Sequence, residues 1–235
     1  MLAMNRDDDA LEQYRKALSL DPSNSNVKNR IRTIQIHRGH VQDVWAEWHQ
    51  IIESDPAQFD GWWGYPELTL FLGNEEDYRR TRRGLLKRFG DSTDPLITEK
   101  IARACLLLPG SDEELRKATA LADRAVAAIP TSDHTLRPYF LFAQGLAEYR
   151  AGHFENAIAI MASDASKAIK PAPQLVIAMA RYREGDSTAA RKTLAAAIQS
   201  FDWRVARADR RDIWAIHVLR REAEATIQAS PSKSH

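Results

Sequence analysis

The chain has 235 residues, 44% of them apolar and 28% charged, with 33 Lys and Arg against 32 Asp and Glu. That is enough apolar material for one large core or two small ones, and a formal charge of +1 provides no field to draw in nucleic acid or an anionic membrane. A lone cysteine, Cys105, excludes an internal disulfide and a cysteine-based metal framework, a usage that fits a reducing compartment. No run reaches the roughly 20 apolar residues of a membrane helix. The start, MLAMNRDDDA, lacks the basic and long apolar stretches of a signal peptide. A cytoplasmic chain with no membrane segment is expected.

The first predicted helix runs through DDALEQYRKALSL and stops before Pro22. Ala10, Tyr14 and Ala17 lie four and three residues apart, a spacing that puts them on one face. Proline five residues later closes the helix, since it cannot donate the next hydrogen bond. Small residues at the ends of the stripe let a second helix come close, and the aromatic fills the groove between. Val44, Trp48, Ile51 and Pro56 repeat these offsets 34 residues on. A helix from about Ser25 to Arg38 precedes them and ends at Gly39, a residue suited to the left-handed cap of a helix. Two helices and a turn in about 34 residues form a structural repeat.

One period further the pattern requires an aromatic near 62, a turn glycine at 73 and a large apolar residue near 78. The chain has Trp62, Gly73 and Tyr78 there. The register loosens at KRFGDSTDP, where Pro95 falls 39 residues after Pro56. It returns with Ala118, Ala122 and Ala125 ahead of Pro130, and LLLPGSDEE replaces the glycine turn. Gly145, Tyr149, Gly152, Phe154 and Ala157 mark a fifth unit; Tyr182, Gly185, Ala190, Leu194 and Ala197 mark a sixth. A last helix, about Asp209 to Gln228, breaks the pattern with Arg220, Arg221, Glu222 and Glu224. It is predicted as a polar cap, followed by a disordered tail, SPSKSH. In the same register Met1 to Met4 form the last turn of a first helix and Asn5 its turn. The array is therefore expected to start in mid-repeat, as a piece of a longer one, leaving Leu11 and Leu18 without their partner helix.

These units resemble tetratricopeptide repeats over nearly the whole chain. The resemblance implies an all-α, right-handed α-solenoid of about five to six hairpins in one domain, residues 1–229, with the tail at 230–235. It also implies a protein or peptide partner, held on the concave surface that the first helices line. A narrower likeness rests on LGNEEDYRR, KRFGDSTDP and ARACLLLPG. This segment is similar to modules in the arrays that follow the kinase domain of large bacterial serine/threonine protein kinases, which implies a non-catalytic C-terminal array. The chain itself has no glycine-rich phosphate loop and no HRD or DFG triplet.

By register, the groove-facing positions are Asn26, Asn29, Thr33 and His37, then Trp63, Glu67 and Phe71, then Arg103, Tyr139, Arg150, Tyr182 and Arg183. Trp62 takes the repeat's aromatic core position. Trp63, about 100° further round a helix, is expected to face the groove as a binding anchor, and Pro66 predicts an irregular first helix in this unit. Some tetratricopeptide proteins clamp a terminal carboxylate with lysine, asparagine and arginine from successive first helices. Asn29 fits that pattern in part, but Asp60 and Glu67 carry the wrong sign.

No catalytic, cofactor or metal residue is predicted. His37, His40 and His49 lack the further ligands a zinc site requires, and Cys105 lies in the apolar run ARACLLL. In RRTRRGLLKRF the apolar Tyr78, Leu85, Leu86 and Phe89 define an inner face, so Arg79, Arg80, Arg83 and Lys87 point outward as a solvated surface. Two alternatives to partner binding stay open. One is self-association through the N-terminal half-repeat, giving a homodimer; the other is an enzyme site hidden between repeats.

Overall fold

The computed structural model describes residues 2–129, 135–204 and 208–228, and for residues 2–5 the backbone alone. Pro130 and the SPSKSH tail lie outside them. The described residues form twelve α-helices and no strand: α1 (Leu2–Leu20), α2 (Ser25–His37), α3 (Val41–Glu53), α4 (Tyr65–Phe71), α5 (Glu75–Phe89), α6 (Pro95–Cys105), α7 (Asp112–Ala127), α8 (Arg137–Ala151), α9 (Phe154–Ala162), α10 (Ala172–Arg183), α11 (Ser187–Gln199) and α12 (Arg211–Gln228). Five hairpins, α2–α3 to α10–α11, pack in sequence behind α1, each helix against its neighbours along the chain. The fold is a helical solenoid of repeats.

The hairpin turns follow from local chemistry. At the corners of α2–α3, α4–α5, α8–α9 and α10–α11 the chain turns at Gly39, Gly73, Gly152 and Gly185, with φ of +87°, +86°, +83° and +92°. That left-handed region is costly for any residue with a Cβ. The α6–α7 corner has no such glycine. There Leu106 to Gly110 make a wider turn, and Ser111 starts α7 with a reciprocal cap in which its hydroxyl accepts from the Glu114 amide while the Glu114 carboxylate accepts from the Ser111 amide. Asn24, Asp94 and Asp186 cap α2, α6 and α11 in the one-sided form.

From α3 onward the second helices bury the stripes expected of them, whereas Ala10, Tyr14 and Ala17 on α1 are only half-buried. Val44 and Trp48, Tyr78, Ala118, Ala122 and Ala125, Ala157, and Ala190, Leu194 and Ala197 all belong to the core. Ile51 is only half-buried; Ile52 takes the inward place beside it. The outward side of α5 carries Arg79, Arg80, Arg83 and Lys87 exposed to solvent.

Three local expectations change. No turn occurs at Asn5, because α1 runs unbroken from Leu2 to Leu20. The segment NRDDDA has no glycine, the residue that takes a left-handed corner without steric cost, and the helix continues through it. The third unit's first helix is indeed irregular: a 3₁₀ turn at Phe59–Gly61 precedes a seven-residue α4. Trp62 and Trp63 therefore lie in the turn before α4, and Gly64 (φ +101°) leads into the helix. Lastly, α12 packs on α10 and α11 as a terminal helix should, but it continues across the concave side to α4. Its face of Trp214, Ala215, Ile216, Val218, Leu219, Ala223 and Ile227 is buried. A helix expected to be a polar cap is amphipathic, and it fills much of the groove.

Helix α8 comes close to α9 at Gly145, where an added Cβ would lie 3.0 Å from Met161 Cε and 3.1 Å from Ile160 Cγ2. Gly145→Val should destabilise the chain by about 1–3 kcal/mol through overpacking, read as a lower urea midpoint with an unchanged slope.

Candidate functional site

The floor of the groove is charged, and α12 supplies the counter-charges. Arg103 on α6 is 2% exposed. Its Nε lies 2.7 Å from Glu99 Oε1, and its Nη1 donates to Asp212 Oδ1 of α12 at 2.8 Å. Burial alone would lower its pKa, but Glu99, Asp212 and Glu67 together raise it. Arg150 on α8 donates to the carbonyls of Leu106 and Leu107, each at 2.7 Å, and pairs with both carboxylate oxygens of Glu222. Arg221 of α12 reaches the carbonyls of Leu70 and Phe71, the negative end of the α4 dipole. His217 meets the Phe71 ring edge-on, with centroids 5.3 Å apart.

Glu67 is the weakly matched member of this set. Burial pushes its pKa above the usual carboxylate range, against the pull of Arg211 and Arg103. One of its oxygens is buried without a partner among the described residues, and Arg211 Nε stands 4.0 Å from the other.

These contacts correct the reading of Glu67, Arg103 and Arg150 as partner contacts. They lie on the concave side, yet they are covered by the chain's own α12. Phe71 touches His217, and Tyr139 has the Arg103 guanidinium 5.9 Å from its ring centre. Tyr182 is half-buried against the core, while Arg183 and Asn26 are exposed. His37 hydrogen-bonds Asp209, just before α12.

What α12 leaves open is the N-terminal mouth of the groove. A cavity of about 240 Å³ lies between α2, Trp63 and the first residues of α12, with Asn29, Arg32, Thr33, Trp48, Trp63 and Arg211 on its walls. Trp63 is half-buried between two cations: Lys100 Nζ is 3.8 Å, and the Arg211 guanidinium carbon 4.6 Å, from its ring centre. Its Nε1 is buried and has no acceptor among the described residues. Arg32 lies on the opposite side, its guanidinium carbon 4.0 Å from the centre of the Trp48 ring and its Nη1 donating to Asn29 Oδ1 at 2.9 Å. Sequence reasoning named Asn29, Thr33 and Trp63 but missed Arg32, because a register that sorts apolar stripes has no place for a buried arginine.

Elsewhere the main polar clusters are held by contacts within the chain. His49, Glu53 and Asp77 bring ligand atoms within 4.8 Å of one another, but Arg80 sits 3.1 Å from Glu53 and also pairs with Asp77. The Tyr65 hydroxyl gives its proton to Asp77 and so accepts from His49 Nδ1 at 2.7 Å. Arg82 donates to Glu114 at 2.8 Å and to the carbonyls of Leu108 and Pro109. Burial raises the pKa of the Cys105 thiol, which leaves little thiolate for nucleophilic chemistry. No helix among the described residues is long and apolar enough to cross a membrane.

No protein-family profile matches the sequence, and no curated protein is significantly similar to it. Several solved structures share its fold, among them the following two. A tetratricopeptide repeat protein from Parabacteroides merdae superposes with a TM-score of 0.53 at 12% identity, covering 98% of this chain and 90% of that one. PilW, a widely conserved type IV pilus biogenesis factor, gives 0.52 at 17% identity, covering 89% and 96%. The likeness defines the class, a tetratricopeptide-like helical solenoid.

Glu222→Ala leaves Arg150 as a buried cation without its carboxylate and should cost about 3–5 kcal/mol, measured by chemical unfolding. Glu67 predicts the opposite sign. A carboxyl whose folded pKa lies above its unfolded value costs stability above the unfolded pKa and nothing below it. Glu67→Gln should therefore raise the unfolding midpoint at pH 7, and the gain should fade as the pH drops below the raised folded pKa and be gone below the ordinary carboxylate range.

Proposed function

We propose that this chain is a non-catalytic, cytoplasmic interaction domain that binds a protein or peptide at the N-terminal mouth of its concave groove. The observation that carries this reading is where α12 stops: the helix covers the groove from α4 to α10 and leaves an aromatic-lined opening bordered by Asn29, Thr33 and Trp63. Trp63 is half-buried beside Arg211, and tryptophan and arginine are residue types that dominate binding energy at interfaces. The tetratricopeptide-like fold agrees with a scaffold role, although fold alone does not assign one. The finer reading, a C-terminal array of a bacterial serine/threonine protein kinase that binds its partners or substrates, rests on LGNEEDYRR, KRFGDSTDP and ARACLLLPG alone. The coding sequence around this chain decides it.

A second reading, self-association, draws on α1, which packs mainly on α2 and leaves Leu20 88% exposed. One experiment separates the two. A photoreactive residue placed at Thr33, and separately at Leu20 and at the outward Arg83, should give a discrete heterologous adduct in cells from position 33 only. An adduct of twice the chain mass from position 20 would favour the homodimer, and equal labelling at 33 and 83 would remove the groove reading.

A further inference from the structure

We infer that His49, Glu53 and Asp77 form a site for a divalent transition metal of the zinc class, built on the second helices α3 and α5. Arg80 holds the cation's place until the metal enters. The inference is independent of the groove reading and shares no residue with it.

His49 and Glu53 stand one turn apart on α3, and Asp77 meets them from the first turn of α5. One ligand atom from each lies within 4.8 Å of the other two. Ligands about 2.1 Å from a tetrahedral zinc stand about 3.4 Å from one another, so small side-chain rotations close the set. The hydrogen bonds around His49 select the ligating nitrogen. Burial, then Asp77, raises the pKa of Tyr65, so its hydroxyl keeps the proton it shares with Asp77 and accepts from His49 Nδ1 at 2.7 Å. That leaves Nε2 with its lone pair, 4.0 Å from Glu53 Oε1. Neither atom has a proton to give the other, and a cation between them satisfies both. Metal-binding histidines are commonly pinned in this way, through the nitrogen that does not ligate. The imidazole is also stacked on Trp45, with centroids 5.0 Å apart and planes at 22°, which fixes its plane.

The space between the two carboxylates already draws positive charge. Arg80 Nη2 lies 3.1 Å from Glu53 Oε1 and pairs with Asp77 Oδ1. The Arg80 and Glu53 side chains are 55% and 51% exposed, a setting in which an ion pair adds little stability. The guanidinium therefore swings out at small cost, while Tyr65 and Trp45 keep His49 in place. Entry is open, since His49, Asp77 and Arg80 line a cavity of about 680 Å³. One imidazole and two carboxylates, with water completing the shell, suit zinc and its neighbours. Magnesium and calcium take shells of oxygen alone. Because α3 and α5 belong to successive hairpins, a metal held here ties one repeat to the next.

The test uses the metal-free full chain, titrated with Zn²⁺ against a chromophoric chelator and with Co²⁺ while visible absorption is read. One ion per chain should be taken up saturably, and the melting temperature should rise with free zinc. His49→Gln and Glu53→Gln should each weaken zinc binding at least about tenfold. Arg80→Gln should tighten it about twofold to fivefold, the span of an exposed ion pair that no longer competes. Glu53→Gln leaves a half-exposed amide, so its urea midpoint in chelator should match that of the unaltered chain. Zinc binding left unchanged by both His49→Gln and Glu53→Gln marks an ion held by other surface groups and overturns the site. So does a lack of saturable uptake by both the unaltered chain and Arg80→Gln. Displacement of zinc by an equal concentration of Mg²⁺ overturns the metal class.

Discussion

A stack of helical hairpins leaves one side of every first helix without a helix to cover it, and in this chain α12 covers that side of α4 and α10. Burial of Trp214, Ile216, Leu219 and Ile227, each worth about 1.5–3 kcal/mol, is large enough to hold the helix down. The ion pairs beneath it play another part. Arg103–Asp212 and Arg150–Glu222 are buried, and the cost of drying both charges offsets most of their attraction. Their effect is on position. A slide of α12 by one turn would break both interhelix pairs at once, so the pairs fix the register that apolar contact alone would leave loose. Arg150 is aimed before α12 arrives, because the carbonyls of Leu106 and Leu107 already hold it.

The repeat was legible in the sequence because its signals are local. A glycine at a corner, a small–aromatic–small stripe and a closing proline each act within a few residues, and Gly39, Gly73, Gly152 and Gly185 take the left-handed conformation their positions required. Trp62 was placed in the core for the same reason. What was not legible is long-range. Arg103 and Asp212 lie 109 residues apart and Arg150 and Glu222 lie 72 apart, and no period links them. Arg220, Arg221, Glu222 and Glu224 looked like one polar surface, yet Glu222 and Arg221 reach into the groove while Arg220 and Glu224 pair with each other. The register put Glu67, Phe71, Arg103 and Arg150 on one side of the first helices, and all of them meet α12 or its flank. It could not tell that the chain would occupy that side itself.

Filling the groove changes what kind of recognition the solenoid can perform. An open array spreads specificity over many first helices, whereas here the accessible part is confined to α2, the turn before α4 and the head of α12. A contact so small gives a modest affinity unless its few groups are well placed, since association must first offset the lost freedom of both partners. The mouth has such groups already fixed: Trp63 is held between Lys100 and Arg211, and Arg32 rests on Trp48. Because the Asp212 that helps anchor α12 also pairs with Arg211 at the cavity wall, the shape of the opening and the seating of the helix are set by the same charges. A partner that gripped Arg211 would be pulling on the bond that keeps the rest of the groove closed.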